Sequence, residues 1–343
     1  MTSQPVELKK QVTQSEWYRS LTRYEKSNIA KTTWQLINSL VPYAITWVAL
    51  VWMMHHHISV LYMLPVMLLS AGFLVRVFII FHDCGHGSFY DSKKLNTIIG
   101  YITGILTFTP YEEWRHSHAV HHATVGDLER RGHGDIWTMT VQEFLACSKP
   151  KQLWYQIYRN PIVLFMIGAP GLFFIAQRIP TKGSSKAERN SVLLTDAALV
   201  ALLILAHFTI GVKTYLLIQL PVMATASILG VWLFYVQHQY QEVYWEHHQE
   251  WDPIRAALEG SSYYKLPKVL QWFSGNIGLH HIHHLKPRIP NYNLQKSYDE
   301  VEMLRKVEPL TLSTSLKSLF MHLWDEESRT MISCTAARRR TRA

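Results

Sequence analysis

Four apolar stretches of membrane-spanning length constrain what this chain can fold into. They lie at about residues 35–54, 58–80, 192–210 and 213–236, and each approaches the ~20 residues with which an α-helix crosses the hydrocarbon core of a bilayer. Only 17% of the 343 residues are charged, which is low for a soluble domain. Very short linkers join the stretches in pairs. The sequence therefore predicts an all-α integral membrane protein with two transmembrane helical hairpins, at 35–80 and 192–236.

Two weaker apolar stretches, 96–109 and 161–177, decide the topology. The first is short, and the second is interrupted by Pro170 and Gly171. If only the second crossed the membrane, the chain after residue 236 would lie on the opposite side from residues 81–122. We expect both stretches to be interfacial or re-entrant helices, within a single domain that covers residues 1–343.

Basic residues orient this topology. Arg178, Lys182, Lys186 and Arg189 follow the second weak stretch, and the positive-inside tendency places such a loop in the cytoplasm. Four spans then leave three regions on the cytoplasmic side, which are the N-terminal segment 1–31, residues 81–191 and residues 237–343. No short apolar segment with a cleavage site precedes the first span, so we expect a multi-pass protein of the plasma membrane.

Three histidine clusters lie just outside apolar segments, on the predicted cytoplasmic side. They are His82-x3-His86, His118-x2-His121-His122 and His280-x2-His283-His284. Residues three and four apart share one face of a helix, so each cluster can direct its imidazoles at one point. Eight such histidines can surround two metal ions. Neutral imidazole suits iron, copper, zinc or nickel, and iron is favoured here, although composition leaves zinc open.

Other histidines differ in spacing or position. His238 stands at the cytoplasmic end of the fourth apolar stretch and is a candidate ninth ligand, with a capping or interfacial role as the alternative. His116 and His281 adjoin ligand positions but are out of phase with the shared helix face. We therefore expect these two side chains to lie behind the metal centre or at the surface.

Several enzyme classes lack their motifs in this chain. There is no H-E-x-x-H zinc-protease motif, and only one E-x-x-H pair, Glu113 with His116, where soluble di-iron bundles use two. Nucleotide-binding glycine motifs are absent, so electrons for an oxidase must come from another protein. The three cysteines have no paired spacing, which fits a reducing compartment. A formal charge of +9 suits anionic lipid headgroups and an acidic protein partner, and nucleic acid is a poor alternative.

The clusters resemble the three histidine boxes of membrane fatty-acid desaturases. The matching motifs are His82-Asp83-Cys84-Gly85-His86, Trp114-Arg115-His116-Ser117-His118-Ala119-Val120-His121-His122 and Gly278-Leu279-His280-His281-Ile282-His283-His284-Leu285. The stretch 289–292 after the third box also fits this family, and the stretches 132–137 and 259–267 resemble those of bacterial acyl-lipid desaturases, above all of the delta-5 type. The likeness runs from roughly residue 30 to residue 330.

The resemblance implies a non-haem di-iron centre that uses dioxygen and two electrons, from ferredoxin or flavodoxin, to insert a cis double bond into saturated acyl chains of membrane phospholipids. It implies these metal ligands, residue by residue: His82, His86, His118, His121, His122, His238, His280, His283 and His284. In animal acyl-CoA relatives an asparagine one turn before the extra histidine reaches the metals through water. That position is Phe234 here, and Asn276 is a candidate substitute, with helix capping as the alternative role.

Two other functions stay open at this point. A membrane hydroxylase has the same boxes but captures the first substrate radical with oxygen instead of removing a second hydrogen. A histidine-rich metal transporter belongs to another class, yet transport places ionisable ligands near the bilayer midplane, whereas these clusters lie at helix ends. For a desaturase, a dry tunnel has to fix which carbons meet the metals, and stretch 96–109 is a candidate wall of it.

Overall fold

The computed structural model of the protein describes residues 12, 15–132 and 134–340, so parts of the predicted N-terminal segment 1–31 and of the motif around 132–137 lie outside the described residues. Its α-helices are α1 (Glu16–Ser20), α2 (Ile29–His55), α3 (Val60–Gly85), α4 (Lys93–Leu106), α5 (Tyr111–Thr124), α6 (Val141–Ala146), α7 (Lys149–Tyr158), α8 (Ala169–Phe174), α9 (Lys186–Phe208), α10 (Val212–His238), α11 (Pro253–Glu259), α12 (Lys268–Phe273), α13 (His280–Leu285), α14 (Asn291–Glu300), α15 (Leu312–Ser315) and α16 (Cys334–Arg340).

Shorter elements connect these helices. A π-helix covers Ile162–Gly168, and 3-10 helices cover Leu21–Tyr24, Ala176–Arg178, Glu302–Lys306 and Leu316–Phe320. The strands are β1 (Met139–Thr140), β2 (Tyr263–Tyr264), β3 (Pro309–Leu310), β4 (Leu323–Asp325) and β5 (Thr330–Ile332).

Four helices are long and apolar enough to cross a membrane, namely α2, α3, α9 and α10. They form the two predicted hairpins, so the predicted fold class is confirmed. The turn of the second hairpin contains Gly211 at φ 82°, a left-handed conformation that glycine adopts without strain. At the other end of the bundle, α3 and α10 continue past the apolar stretches that predicted them, to Gly85 and His238. These extensions carry His82 and His238 past the ends of the apolar stretches.

Helix α3 is the centre of the bundle. In its most apolar window 61% of the residues are buried, against 22%, 22% and 33% for α2, α9 and α10. It packs against α2, α4 and α10, and Leu74, Val77 and Ile80 along it are almost completely buried. Because the first histidine box lies at its end, the position of that box is fixed by the best-packed helix of the fold.

The weaker apolar stretches form α4 and a bent segment. Helix α4 lies beside α3, and a Cβ atom at Gly100 would lie 2.2 Å from the ring of Tyr111, so only glycine allows this close contact with α5. The second stretch belongs to a pair of helical pieces, Lys149–Tyr158 and Ile162–Arg178, that meet at an angle of 63°. Their outer faces carry exposed apolar side chains such as Trp154 and Ile167.

Contacts at the start of α9 bear on the path of this bent segment. The Glu112 main-chain N–H donates to Ser191 Oγ at 2.9 Å, and His116 Nδ1 lies 3.6 Å from Glu188 Oε1. The chain therefore leaves α3 and enters α9 at the same end of the bundle, with an even number of crossings between. This geometry favours a re-entrant path for residues 149–178.

A cap of short elements covers that end of the bundle. In one sheet β4 pairs in parallel with β1 and antiparallel with β5, and in the other β2 pairs in parallel with β3. Near the N-terminus, Leu21 and Tyr24 are buried against the cap, and the Tyr24 hydroxyl donates to Glu300 Oε2 at 2.6 Å. Strands this short were not predicted, because two or three residues carry no readable alternation of apolar and polar side chains.

Candidate metal centre

Four separate helices bring nine histidines together. His82 lies at the end of α3 and His86 directly after it, the second box occupies α5, His238 ends α10, and the third box is on α13. On α5 and α13 the spacing of three and four residues places the imidazoles on one face, as the sequence predicts. The nine histidines divide into two clusters.

The first group is the five-histidine cluster. One ring nitrogen from each member lies within 4.8 Å of those of the others, and the members are His82, His86, His118, His122 and His283. His122 Nε2 lies 3.2 Å from His118 Nε2 and 3.0 Å from His283 Nε2. This cluster therefore takes side chains from all three boxes.

The second group is the four-histidine cluster. Nitrogens of His121, His238 and His284 lie within 4.8 Å of one another, and His280 Nε2 lies 2.9 Å from His238 Nε2 and 3.1 Å from His284 Nε2. The His122 and His284 rings, one from each cluster, stack at a centroid distance of 4.1 Å. The two clusters are therefore direct neighbours.

The nitrogen spacing fits two metal ions. Imidazole nitrogens bind such ions at about 2.0–2.1 Å, so two ligands at right angles have their nitrogens about 3.0 Å apart. The observed separations of 2.9 to 3.2 Å match that geometry. His86 Nε2 is buried and has no hydrogen-bond partner among the described residues, as expected of an atom that binds a metal.

Burial also sets the protonation state of these side chains. Desolvation, reinforced by the neighbouring imidazoles, lowers the pKa of five histidines on α5 and α13 well below the usual value. They are His118, His122, His280, His283 and His284. A lowered pKa keeps an imidazole neutral at physiological pH, and the neutral form is the one that binds a metal.

Three of the histidine rings donate a hydrogen bond from Nδ1 to an oxygen acceptor. The Nδ1 atom of His121 donates to Asp135 Oδ1 at 2.5 Å, that of His82 to Asp83 Oδ1 at 3.2 Å, and that of His238 to the Gly260 carbonyl at 3.1 Å. An Nδ1–H bond of this kind fixes the ring orientation and leaves Nε2 for the metal.

The carboxylates of Asp83 and Asp135 differ in the hydrogen bonds that they accept from other residues. Asp83 Oδ2 accepts from both the main-chain and the side-chain nitrogen of Asn291, at 2.7 and 2.8 Å, which links the first box to α14. Asp135 Oδ2 is buried and has no hydrogen-bond partner among residues 15–132 and 134–340. The sequence reasoning did not single out either aspartate, although both lie inside the motifs quoted for the resemblance.

Aromatic packing completes the five-histidine cluster. The Trp114 ring stacks on His118 with centroids 4.3 Å apart and planes at 20°. A Cβ atom at Gly85 would lie 2.8 Å from the Trp114 ring, so the glycine of the first box makes room for this indole. The stacking limits rotation of His118.

The other histidines considered, His116 and His281, and Asn276 contact groups outside the two clusters. His116 is exposed and faces Glu188, and His281 is buried with its Nε2 donating to the Leu304 carbonyl at 3.2 Å, so both point away from the clusters. The Asn276 amide donates to the Asn291 carbonyl at 3.1 Å. The Phe234 ring packs against His121 and His238 at centroid distances of 5.2 and 5.1 Å.

An apolar cavity of about 340 Å³ extends from the clusters into the helix bundle. His82, His118 and His280 line one end of it, and Leu74 and Met223 line the part within the membrane helices. Along α10 the lining residues run from Gln237 back to Met223, which corresponds to about 21 Å of helix at 1.5 Å per residue. From the predicted wall 96–109, only Thr107 is among the lining residues.

A smaller and more polar cavity of about 270 Å³ also reaches the centre. It is lined by charged and hydroxyl side chains that include Glu112, Arg115 and Glu188, together with His86. Trp114 and His118 line both cavities, so this stacked pair separates the polar space from the apolar one.

Comparison with known proteins gives consistent matches. A model of the fatty acid desaturase family matches residues 59–309, a region that contains all nine histidines. A fatty acid desaturase of Bacillus subtilis (strain 168) is 45% identical over 304 residues, which cover 88% of this chain and 85% of that protein.

Plant enzymes match over a shorter region. A chloroplastic sn-2 acyl-lipid omega-3 desaturase (ferredoxin) of Arabidopsis thaliana is 30% identical over 234 residues, or 64% of this chain and 50% of that protein. An endoplasmic-reticulum omega-3 fatty acid desaturase of Vigna radiata is 28% identical over 237 residues, or 64% of this chain and 59% of that protein. The match thus spans little more than half of these plant proteins.

Proposed function

The chain belongs to the fatty acid desaturase family, and we propose that it inserts a cis double bond into saturated acyl chains of membrane phospholipids. The reaction balances as R–CH2–CH2–R′ plus dioxygen, two electrons and two protons, giving R–CH=CH–R′ and two waters. The observation that carries the proposal is an apolar cavity that begins at a nine-histidine centre and continues between membrane-spanning helices. A hydrocarbon chain is the ligand that such a wall accepts.

We infer that the two clusters hold two irons. His82, His86, His118, His122 and His283 are the proposed ligands of one ion, and His121, His238, His280 and His284 those of the other. Asn276 is left out of the set, because its amide nitrogen donates to the main-chain carbonyl of Asn291, on a helix that carries none of the nine histidines. Bound there, a non-haem di-iron pair supplies the oxidising power that removes two hydrogens from an unactivated methylene pair.

The protein's own residues keep that chemistry selective. Neighbouring methylenes of a saturated chain are chemically alike, so the cavity wall has to fix which pair meets the centre. Phe234 and Ile277 line the cavity beside the histidines and keep water from the reacting carbons. Trp114 separates the acyl cavity from the polar one, which gives protons and product water a path of their own.

The hydrogen bond between His121 and the Asp135 carboxylate leads to a testable prediction. Asp135→Asn keeps the size of the side chain but removes the negative charge that orients and polarises the imidazole, so we expect iron affinity to fall by about ten- to a hundredfold. Competition with a chelator, measured on the purified protein, checks this. The exposed Asp91→Asn is the matched control, and equal iron affinity in both variants would contradict a role for Asp135.

The proposed location is the plasma membrane, with the centre on the cytoplasmic side. Lys182, Lys186 and Arg189 flank the start of α9, at the end of the bundle that carries the histidines, and basic flanks face the cytoplasm. A cysteine introduced at the exposed Arg288 should then react with a membrane-impermeant thiol reagent only in opened cells. One introduced at the exposed His56, in the opposite turn, should react in intact cells, and the reverse pattern excludes this orientation.

The proposed electron donor is a small acidic carrier such as ferredoxin or flavodoxin. The name of the Arabidopsis relative includes ferredoxin, and the net charge of +9 suits an acidic partner. No glycine-rich nucleotide motif occurs in the sequence through which the chain itself would bind a reduced nicotinamide or flavin.

Expression in a host without desaturases tests the proposed activity. The host lipids should acquire monounsaturated acyl chains, and mass spectrometry with double-bond localisation should find a single cis position. Hydroxylated chains in place of unsaturated ones would instead assign a membrane hydroxylase, which shares the histidine boxes. Transport of metal across the membrane without consumption of dioxygen would refute both enzymes.

A further inference from the structure

One polar side chain in the wall of the apolar cavity has an atom without a partner among the described residues, and it is not part of the metal centre. Gln177 lines the cavity, and its Oε1 is buried without a hydrogen bond to any described residue. The hydroxyls of Thr107 and Ser227 in the same wall donate to main-chain carbonyls of the preceding helical turn, and the Gln237 amide donates to the Ile277 carbonyl. Asp135 Oδ2 is also unpaired, but that carboxylate already serves His121.

Gln177 does not belong to any element that carries a histidine. It lies in the 3-10 helix Ala176–Arg178, at the end of the bent segment. An unpaired amide is costly in an apolar wall, and a buried polar group in a folded protein is normally satisfied. The unpaired end therefore indicates a ligand that is apolar over most of its length and polar at one point.

The surroundings hold Gln177 at a fixed place relative to the histidines. Its neighbour Arg178 pairs with Asp196 at 2.7 Å and donates to a main-chain carbonyl in the turn between α4 and α5. Just beyond, the Thr181 N–H donates to Glu113 Oε1 at 3.0 Å, and Glu113 lies on the helix of the second box. These contacts tie the segment to α9 and to α5.

Gln177 also lies near the lipid-facing side of the cavity. Ile175 and Ile179, on either side of it in sequence, are each 66% exposed, as expected of residues in contact with the bilayer. Leu172 lines the cavity and is 41% exposed, so the segment forms the outer edge of the cavity wall. If a lipid's acyl chain enters the cavity from this side, its carbonyl lies at this edge.

We propose that Gln177 binds the acyl carbonyl of the substrate and thereby sets the double-bond position by counting from the carboxyl end of the chain. The inference rests on the proposed desaturase function. The oxygen and nitrogen of an amide are interchangeable by a flip of the group, so Nε2 can take the unpaired position and donate to the carbonyl. With the carbonyl bound at a fixed distance from the clusters, the same methylene pair meets the centre whatever the length of the chain beyond it.

Two size-matched variants test the role of the donor. Gln177→Met keeps the shape without a hydrogen bond, and Gln177→Glu keeps an acceptor but removes the donor. We expect both to lower the yield of unsaturated product by about two- to tenfold, the range for loss of one hydrogen bond, and to spread the double bond over neighbouring positions. Gln156→Leu, which removes an amide from α7 outside the cavity, is the matched control.

The experiment uses the full-length protein in a desaturase-free host fed with myristate, palmitate or stearate. Wild type and Gln156→Leu should place the double bond at one position from the carboxyl end in all three chains, with the membrane amount and iron content of every variant measured in parallel. Two results would overturn the inference while leaving the desaturase function intact. In one, the wild type places the double bond at a constant distance from the methyl end. In the other, both Gln177 variants form the double bond at the wild-type position and in full yield. Absence of any unsaturated product from the wild type would instead refute the function itself.

An acyl carbonyl occurs both in phospholipid esters and in thioesters. A pulse of labelled fatty acid distinguishes these two possible substrates. In cells pulsed with labelled palmitate, unsaturated label should appear first in phospholipid. Its first appearance in the thioester pool would assign the carbonyl contact to a thioester substrate instead.

Discussion

Replacement of His283 by alanine is expected to abolish double-bond formation while the protein still reaches the membrane in normal amount. His283 Nε2 lies 3.0 Å from His122 Nε2, in the cluster to which all three boxes contribute. Loss of a residue that only supports a metal ligand costs about ten- to a hundredfold, so loss of a ligand itself should exceed a hundredfold. Fatty-acid analysis of a desaturase-free host measures the effect.

The chain provides a matched control on the same helix. His281 is also buried, but its Nε2 donates to the Leu304 carbonyl and its ring points away from both clusters. His281→Gln, which retains a donor, should therefore keep its metal and most of its activity. Full activity in a well-expressed His283→Ala protein, or equal loss in both variants, would remove His283 from the ligand set.

The second large effect is expected from Gly230→Leu, which should block the acyl cavity and leave the metal centre intact. Gly230 lies on α10 in the cavity wall, and a Cβ atom built there meets no other atom within 4 Å. A leucine side chain that starts from this open position would occupy space proposed for the acyl chain. Misplacement of reacting atoms by about 1 Å can cost a hundredfold, and exclusion of the chain should cost at least as much.

Iron content separates this effect from misfolding. Gly230→Leu should bind as much iron as the wild type but produce at least about a hundredfold less unsaturated lipid. Gly171→Leu is the control, because Gly171 also has open space at its Cβ and is not among the residues that line the cavity. Wild-type activity in Gly230→Leu would show that the acyl chain lies elsewhere.

The predictability of the fold differed between its parts. Apolar length alone predicted the four spans, because the hydrocarbon thickness of a bilayer fixes how long such a helix must be. Apolar length by itself does not indicate where α3 and α10 end, at Gly85 and His238, because a helix that leaves the membrane no longer needs apolar residues. The paired short strands of the cap depend on contacts between distant segments, such as Met139 with Leu323, which no local pattern encodes.

The histidines were predictable where local spacing determines their direction. On α5 and α13 the helical repeat alone aims His118, His122, His280 and His284 to one side. The division into a cluster of five and a cluster of four was not predictable, because it depends on how separate helices meet. Asp135 reaches His121 only because the loop after α5 folds back, with Gly134 at φ 69°. The depth of the cavity is likewise a property of packing between α3, α8 and α10.

Iron content per chain tests the central claim most directly. Two neighbouring histidine clusters are proposed to hold two irons, so protein purified in active form from iron-supplied cells should contain two irons per chain by elemental analysis. That number should fall in His283→Ala and stay at two in His281→Gln. Purified protein that still forms double bonds with no iron, or with a single iron per chain, would contradict the account.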